Sequence, residues 1–370
     1  MNQFLKTCRS VLNNKVPKIV VIGNESCDLD SAVCSISVAF HLSKFPSFTK
    51  SFECCHIIPV LNVARCDLPL RTEVIYFLQE NRIDLHDLVC NDEIDLPEVV
   101  SPRTKYVLVD HHQSKYRLNV IGVIDHRPFD YCSLLNDNVF KYIELVGSCA
   151  TLVTRMFQES KALDENKTDY LPLLNLLYGA IILDTVNFCK KADKARQLDK
   201  QMAEFIEHHL NMSDIARRRR VLFDTLVCKR CDISHLDTLQ ILSKDLKIVS
   251  RNGYTVAIPG LPILVQDFVK LKDTEFNVQH FAQITGSNAV VLMGIQINSN
   301  NVDVRRDLGI INVNALDLFQ KILNELSSNN NFCLENMDLD LLDGTFYNLR
   351  NVGISRKQIL PLICSVLDNM

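Results

Sequence analysis

Three short apolar runs end in groups able to do polar chemistry, and a fourth, longer one ends in an aspartate. Ile19–Gly23 leads into Asn24-Glu25-Ser26-Cys27-Asp28-Leu29-Asp30, Tyr106–Val109 into Asp110-His111-His112, Val120–Ile124 into Asp125-His126-Arg127, and Gly179–Leu183 into Asp184. The first three runs are short and β-branched, as buried parallel strands are, and ligands bind at the carboxyl ends of such strands. Asp28 and Asp30 are two apart, so in an extended segment or turn both can face one site while Leu29 points away. Carboxylates and imidazoles from four distant segments would then meet at one edge. Converging carboxylates repel, and desolvating them costs several kcal/mol per charge unless a cation lies among them. The pattern points to bound metal.

The elements that must position these groups alternate. Residues 18–190 read strand then helix: a strand over Ile19–Gly23, a helix started by Asp30-Ser31 and continued through Val33, Ile36, Ala39, Phe40 and Leu42, a strand over 54–63 and a helix over 70–81. The strands ending at Asp110 and Asp125 follow, then helices over 151–160, 171–183 and 190–209. This order predicts a parallel sheet with right-handed crossovers. Beyond residue 222 the pattern is α+β, with strands over 246–250, 254–258, 289–297 and 303–309 and helices over 261–271, 313–326 and 355–367. Asn252-Gly253 supplies a two-residue hairpin turn.

At 370 residues the chain exceeds one typical core and predicts two domains. The expected division is 1–210, a linker or hinge over 211–222, and 223–370. A net charge of −4 gives no field for general nucleic-acid binding, so Arg217–Arg220 read as an exposed basic helix start or linker. No apolar stretch reaches the roughly 18 residues of a membrane span. The 14 cysteines read as thiols of a reducing compartment, and Cys228 and Cys231 with His235 lack the second half of a zinc site. The expected location is cytoplasmic, with a mitochondrial address in residues 1–18 as the minority alternative.

Taken in order, these motifs resemble the DHH phosphoesterase superfamily, and more narrowly its prune and exopolyphosphatase branch, which is similar to the family II inorganic pyrophosphatases. The match spans nearly the whole chain: Gly23–Ser31, the Asp-His-His and Asp-His-Arg triplets at 110–112 and 125–127, the small residues Gly147–Thr151, Leu183–Phe188, and in the second half Lys244–Lys247 and Ser355–Gln358. Asn24 stands where the pyrophosphatases have histidine; with Arg127 it points to the prune group.

The resemblance implies a parallel-sheet catalytic domain, a smaller DHH-associated domain, and two divalent cations, Mg²⁺ with Mn²⁺ as the alternative. Asp110 would bridge them, with Asp30, His126 and Asp184 on one and Asn24 and Asp28 on the other. Asp125 would orient the His126 ring. His111 is a further catalytic candidate, and His112 either lines the site or packs beside it. Arg127, Arg356, Lys357 and Lys247 are the phosphate-binding candidates, arginine as a bidentate fork and lysine as a point charge. Lys244 is a weaker candidate, and Arg71 reads as a helix-start ion-pair partner. The implied activity is hydrolysis of short inorganic or nucleoside polyphosphates. Cyclic-nucleotide hydrolysis, or a regulatory role with protein partners and slow residual hydrolysis, stand as alternatives.

Overall fold

The computed structural model describes residues 1–46, 49, 55–128, 138–297, 304–339 and 342–370. They form two compact units, Met1–Arg230 and Cys231–Met370. The boundary thus lies beyond the expected linker at 211–222, because residues 215 onward continue as a helix whose Leu226 is buried in the first core.

The first unit runs α1 (Asn2–Ser10), β1 (Lys18–Ile22), α2 (Leu29–Lys44), β2 (His56–Val60), α3 (Thr72–Glu80), β3 (Thr104–Val109), β4 (Val120–Asp125), β5 (Phe140–Ile143), α4 (Cys149–Glu159), α5 (Ala162–Asp184), α6 (Gln197–His209) and α7 (Ile215–Cys231). The strands form one fully parallel sheet in the order β2-β1-β3-β4-β5. Val20, Val21, Ile22, Val107, Leu108 and Val109 are fully buried, as expected of central strands covered on both faces. The chain leaves β1 for β2 on one side and returns to β3 on the other. The β1/β3 gap is therefore the topological switch point, where crevices open beyond the strand ends.

Helix α2 is capped by Asp28, whose carboxylate accepts the Ser31 amide, and every residue from Leu29 to Leu42 is buried. Gly23 is needed where β1 meets this helix, since a Cβ there would lie 2.0 Å from Ser31 Oγ. Cys54 lies outside the described residues, and β2 begins at His56. The expected helix over 190–209 is regular only as α6. β5 was not anticipated.

The second unit contains α8 (Thr238–Lys244), β6 (Leu246–Arg251), β7 (Tyr254–Leu261), α9 (Val265–Phe268), α10 (Thr274–Thr285), β8 (Ala289–Ile297), β9 (Val304–Asn312), α11 (Leu316–Ser328), β10 (Leu334–Met337), β11 (Gly344–Leu349) and α12 (Arg356–Asp368). Its mixed sheet has the order β10-β11-β9-β8-β7-β6. Asn252 and Gly253 both have positive φ, 50° and 82°, as the tight turn between β6 and β7 requires. The expected helix over 261–271 is corrected: β7 extends to Leu261, and only the single turn α9 is helical before α10. Residue 303 lies outside the described residues, and β9 begins at Val304.

Candidate metal centre

The ends of β1, β3 and β4 and the C-terminus of α5 bring the acidic sites together. Ligand atoms of Asp30, Asp110 and His126 lie within 4.8 Å of one another. Asp110 is 2% exposed and Asp30 3%. His126 Nε2 is 3.2 Å from Asp110 Oδ1, and Arg127 Nη2 is 3.4 Å from the same oxygen. Asp110 holds a left-handed backbone at φ 60°, a strained state for a non-glycine residue and one found at functional turns.

Asp30 is anchored from outside its own helix. Its Oδ2 accepts the Cys149 amide at 2.6 Å and its Oδ1 the Ala150 amide at 2.8 Å, while the Cys34 thiol donates to Oδ1 at 3.3 Å. Both amides open α4, so its N-terminal dipole favours the negative charge. Asp184 ends α5, and three residues in succession, Val186, Asn187 and Phe188, then adopt positive φ of 51°, 50° and 58°. This strained turn is covered by Arg219, whose guanidinium carbon lies 4.8 Å over the Phe188 ring. Arg219 donates to buried Glu207 at 2.6 and 3.0 Å, and Tyr178 Oη donates to the same carboxylate at 2.6 Å. One of the four arginines is therefore a packed pin; Arg217, Arg218 and Arg220 are exposed.

The electrostatics show crowding. Burial and the Asp30 carboxylate push Asp110 above the usual carboxylate range, against the pull of its His126 hydrogen bond. Asp184 is driven well up by burial and then by Asp30 and Asp28, and Asp28 rises for the same two reasons, burial and Asp30. Burial alone would lower His126; its hydrogen bond to Asp110 and the charge of Asp30 raise it instead. A cation among these groups would relieve the crowding that raises them. Buried oxygen donors with one imidazole, short of positive charge, fit hard or borderline divalent ions.

Two expectations need correction. Asp125 does not orient the His126 ring: its Oδ2 pairs with His112 Nδ1, and its Oδ1 accepts the backbone amides of His126 at 2.8 Å and Arg127 at 3.3 Å. The His126 ring is fixed by Nδ1–H donating to the Val146 carbonyl at 3.0 Å, which leaves Nε2 toward Asp110. No ion pair of Arg71 is found among the described residues, and its Nε is buried without a hydrogen-bond partner.

Asn24 meets the centre through its amide nitrogen, 2.6 Å from Asp110 Oδ2, while its Oδ1 accepts from the Ser26 amide at 2.9 Å and the Ser26 hydroxyl at 2.5 Å. To offer oxygen to a cation the amide must turn over. His111 donates Nδ1–H to Val109 O at 2.9 Å. In the second unit Arg356 donates to Asp245 Oδ1 at 2.5 Å and to its carbonyl at 2.6 Å, whereas Lys357 and Lys247 are exposed. The His112–Asp125 partnership was not legible in advance, since a 13-residue separation carries no local signal.

Residues 224–366 match the DHHA2 domain family. The chain is 35% identical over 377 residues to exopolyphosphatase PRUNE1 of Mus musculus, covering 100% of this chain and 79% of that protein. It is 35% identical over 384 residues to the Homo sapiens protein of the same name, covering 100% and 80%. A crystal structure of a Methanococcus jannaschii protein assigned as a family II inorganic pyrophosphatase aligns with a TM-score of 0.50 at 20% identity, over 95% of this chain and 99% of the other, a likeness of fold.

Proposed function

The chain belongs to the DHH phosphoesterase superfamily, in its prune branch, and from that premise we propose a hydrolase of phosphoanhydride bonds that depends on divalent metal and acts on short inorganic or nucleoside polyphosphates. The observation that carries the reading is the convergence of Asp30, Asp110 and His126 at the β1/β3 switch point, in a chain similar to proteins named exopolyphosphatase.

Asp28, Asp30, Asp110, Asp184 and His126 are the proposed ligands, with Asn24 joining them if its amide turns. Two divalent cations bound there would supply Lewis acidity and neutralise the four carboxylates, and Mg²⁺ suits so oxygen-rich a set. The chain's own groups do the positioning. Asp125 fixes the 126–127 backbone, and Val146 holds the imidazole edge-on to Asp110. Arg127, 47% exposed and held to Asp110 only at 3.4 Å, can turn its fork to phosphate oxygens. Phosphoryl transfer is governed largely by such placement and charge neutralisation. Arg356, Lys357 and Lys247 are proposed as the second unit's phosphate contacts.

The test is phosphate release with Mg²⁺ from pyrophosphate, tripolyphosphate, tetraphosphate and long polyphosphate, with cyclic AMP hydrolysis assayed in parallel. Asp110→Ala serves as the blank. Turnover of short linear phosphates that falls by at least about a thousandfold in the blank supports the reading. Turnover of cyclic AMP alone makes the protein a phosphodiesterase, and stoichiometric metal binding without turnover leaves the interaction role.

A further inference from the structure

The loop that begins at Asp110 walls a cavity of about 670 Å³, within the ~300–1,000 Å³ range of small-molecule sites. Asn24 and Arg127, both polar neighbours of Asp110, line it, so the cavity opens onto the candidate centre. Ser114 and Lys115 also line it. Among its described lining residues Glu25 is the only carboxylate, against one guanidinium and one ammonium. The cavity thus offers cationic and hydroxyl donors beyond those that touch the metal cluster.

Lys115 combines a firm base with an exchangeable partner. Its ammonium lies 5.3 Å over the ring of Tyr116, which is 4% exposed and stacked on Tyr106 with centroids 4.5 Å apart. Its ion pair with Glu98, at 3.0 Å, joins side chains that are 53% and 57% exposed. Such a pair is worth about 1 kcal/mol at most and yields readily to a polyanion. Tyr116 is covered and offers no open face on which a nucleobase could stack, so the lining favours phosphate over nucleoside.

We propose that this cavity is a subsite for the phosphates of a linear inorganic polyphosphate that lie beyond the reacting pair, with Lys115 as the positioning residue. The inference rests on the hydrolase reading above. Within the first unit the centre and Arg127 meet the reacting pair of phosphates, and Lys115 is the further cation lining the cavity for a third and fourth. Preference for chain length is then set by charge on the 110–116 loop.

The test uses the full chain with Mg²⁺ and compares kcat/KM for tetraphosphate with that for pyrophosphate. Lys115→Gln should lower this ratio about tenfold, chiefly through the KM for tetraphosphate, and Lys115→Arg should restore it to within about twofold. An unchanged ratio in Lys115→Gln overturns the subsite, as does a fall that Lys115→Arg does not rescue. If the wild-type chain turns over neither substrate the hydrolase reading fails instead, and calorimetric binding of the same two anions decides the subsite. Selective weakening of tetraphosphate in Lys115→Gln then supports it; equal weakening or none overturns it.

Discussion

The side-chain amide of Asn24 donates to Asp110 Oδ2 at 2.6 Å, tying the end of β1 to the end of β3 across the point where the strand order reverses. This contact satisfies Oδ2 of a buried carboxylate whose other oxygen, Oδ1, faces His126 and Arg127. It also explains why a neutral amide suits a position where an imidazole or a carboxylate could otherwise serve.

Asn24→Asp removes that donor and adds a carboxylate. Loss of the hydrogen bond and added repulsion should cost roughly 2–4 kcal/mol in EDTA, while Mg²⁺ should raise Tm more than in the wild type. Thermal unfolding with and without Mg²⁺ checks both directions; an unchanged Tm in EDTA would remove Asn24 from the account.

Gly23→Ala places a methyl 2.0 Å from Ser31 Oγ, the atom that accepts the Asn24 amide at 2.7 Å. The ends of β1 and α2 must separate, at about 1–3 kcal/mol. Urea unfolding should show the loss, and titration with Mn²⁺ should show weakened binding because Asn24, Asp28 and Asp30 move together. Binding as tight as in the wild type would mean that this packing does not position the cluster.

Arg219→Ala leaves Glu207 buried without its ion pair and uncovers Phe188, and should destabilise the first unit by about 3–5 kcal/mol. Combining Arg219→Met with Glu207→Gln should recover much of that stability, because no unpaired charge remains. If the single and double variants unfold at the same denaturant concentration, the desolvated pair is not the cause.

His41 gives the fold an acid limit independent of the metal site. It is buried, its Nδ1 is hydrogen-bonded with the Tyr170 hydroxyl at 2.9 Å, and it packs on Phe45 and Phe157. Burial pushes its imidazole down from 6.5 to about 4. Below pH 6.5 the unfolded chain takes up a proton that the folded chain refuses, so this residue's contribution is constant above pH 6.5, falls between pH 6.5 and pH 4, and then levels off. The loss is roughly 3 kcal/mol. His41→Gln should start less stable at pH 7 but lack this decline; wild-type and variant curves falling in parallel would assign the decline elsewhere.

What was legible in the sequence followed from burial on both faces. The apolar runs ending at Ile22, Val109 and Ile124 had no alternative to central strands, and the α5 run, long enough for a helix, delivered Asp184 at its end. Edge elements lacked that signal. β5 reads Phe-Lys-Tyr-Ile and β10 Leu-Glu-Asn-Met, both half-exposed, and their pairing comes from neighbours rather than from their own periodicity. The His112–Asp125 pair and the Arg219 pin depend on how separate segments pack. A run of four arginines looks uniform until one of them meets a buried glutamate.

Asp30 is rooted in α2, yet its two oxygens receive the first two amides of α4. The cluster therefore carries its own reporter. While Asp30 accepts them, the Cys149 and Ala150 amide protons exchange slowly with solvent; any event that turns the carboxylate aside frays the start of α4 and quickens them. The state of the centre can be followed by hydrogen–deuterium exchange at two backbone positions, with no substrate and no chromophore.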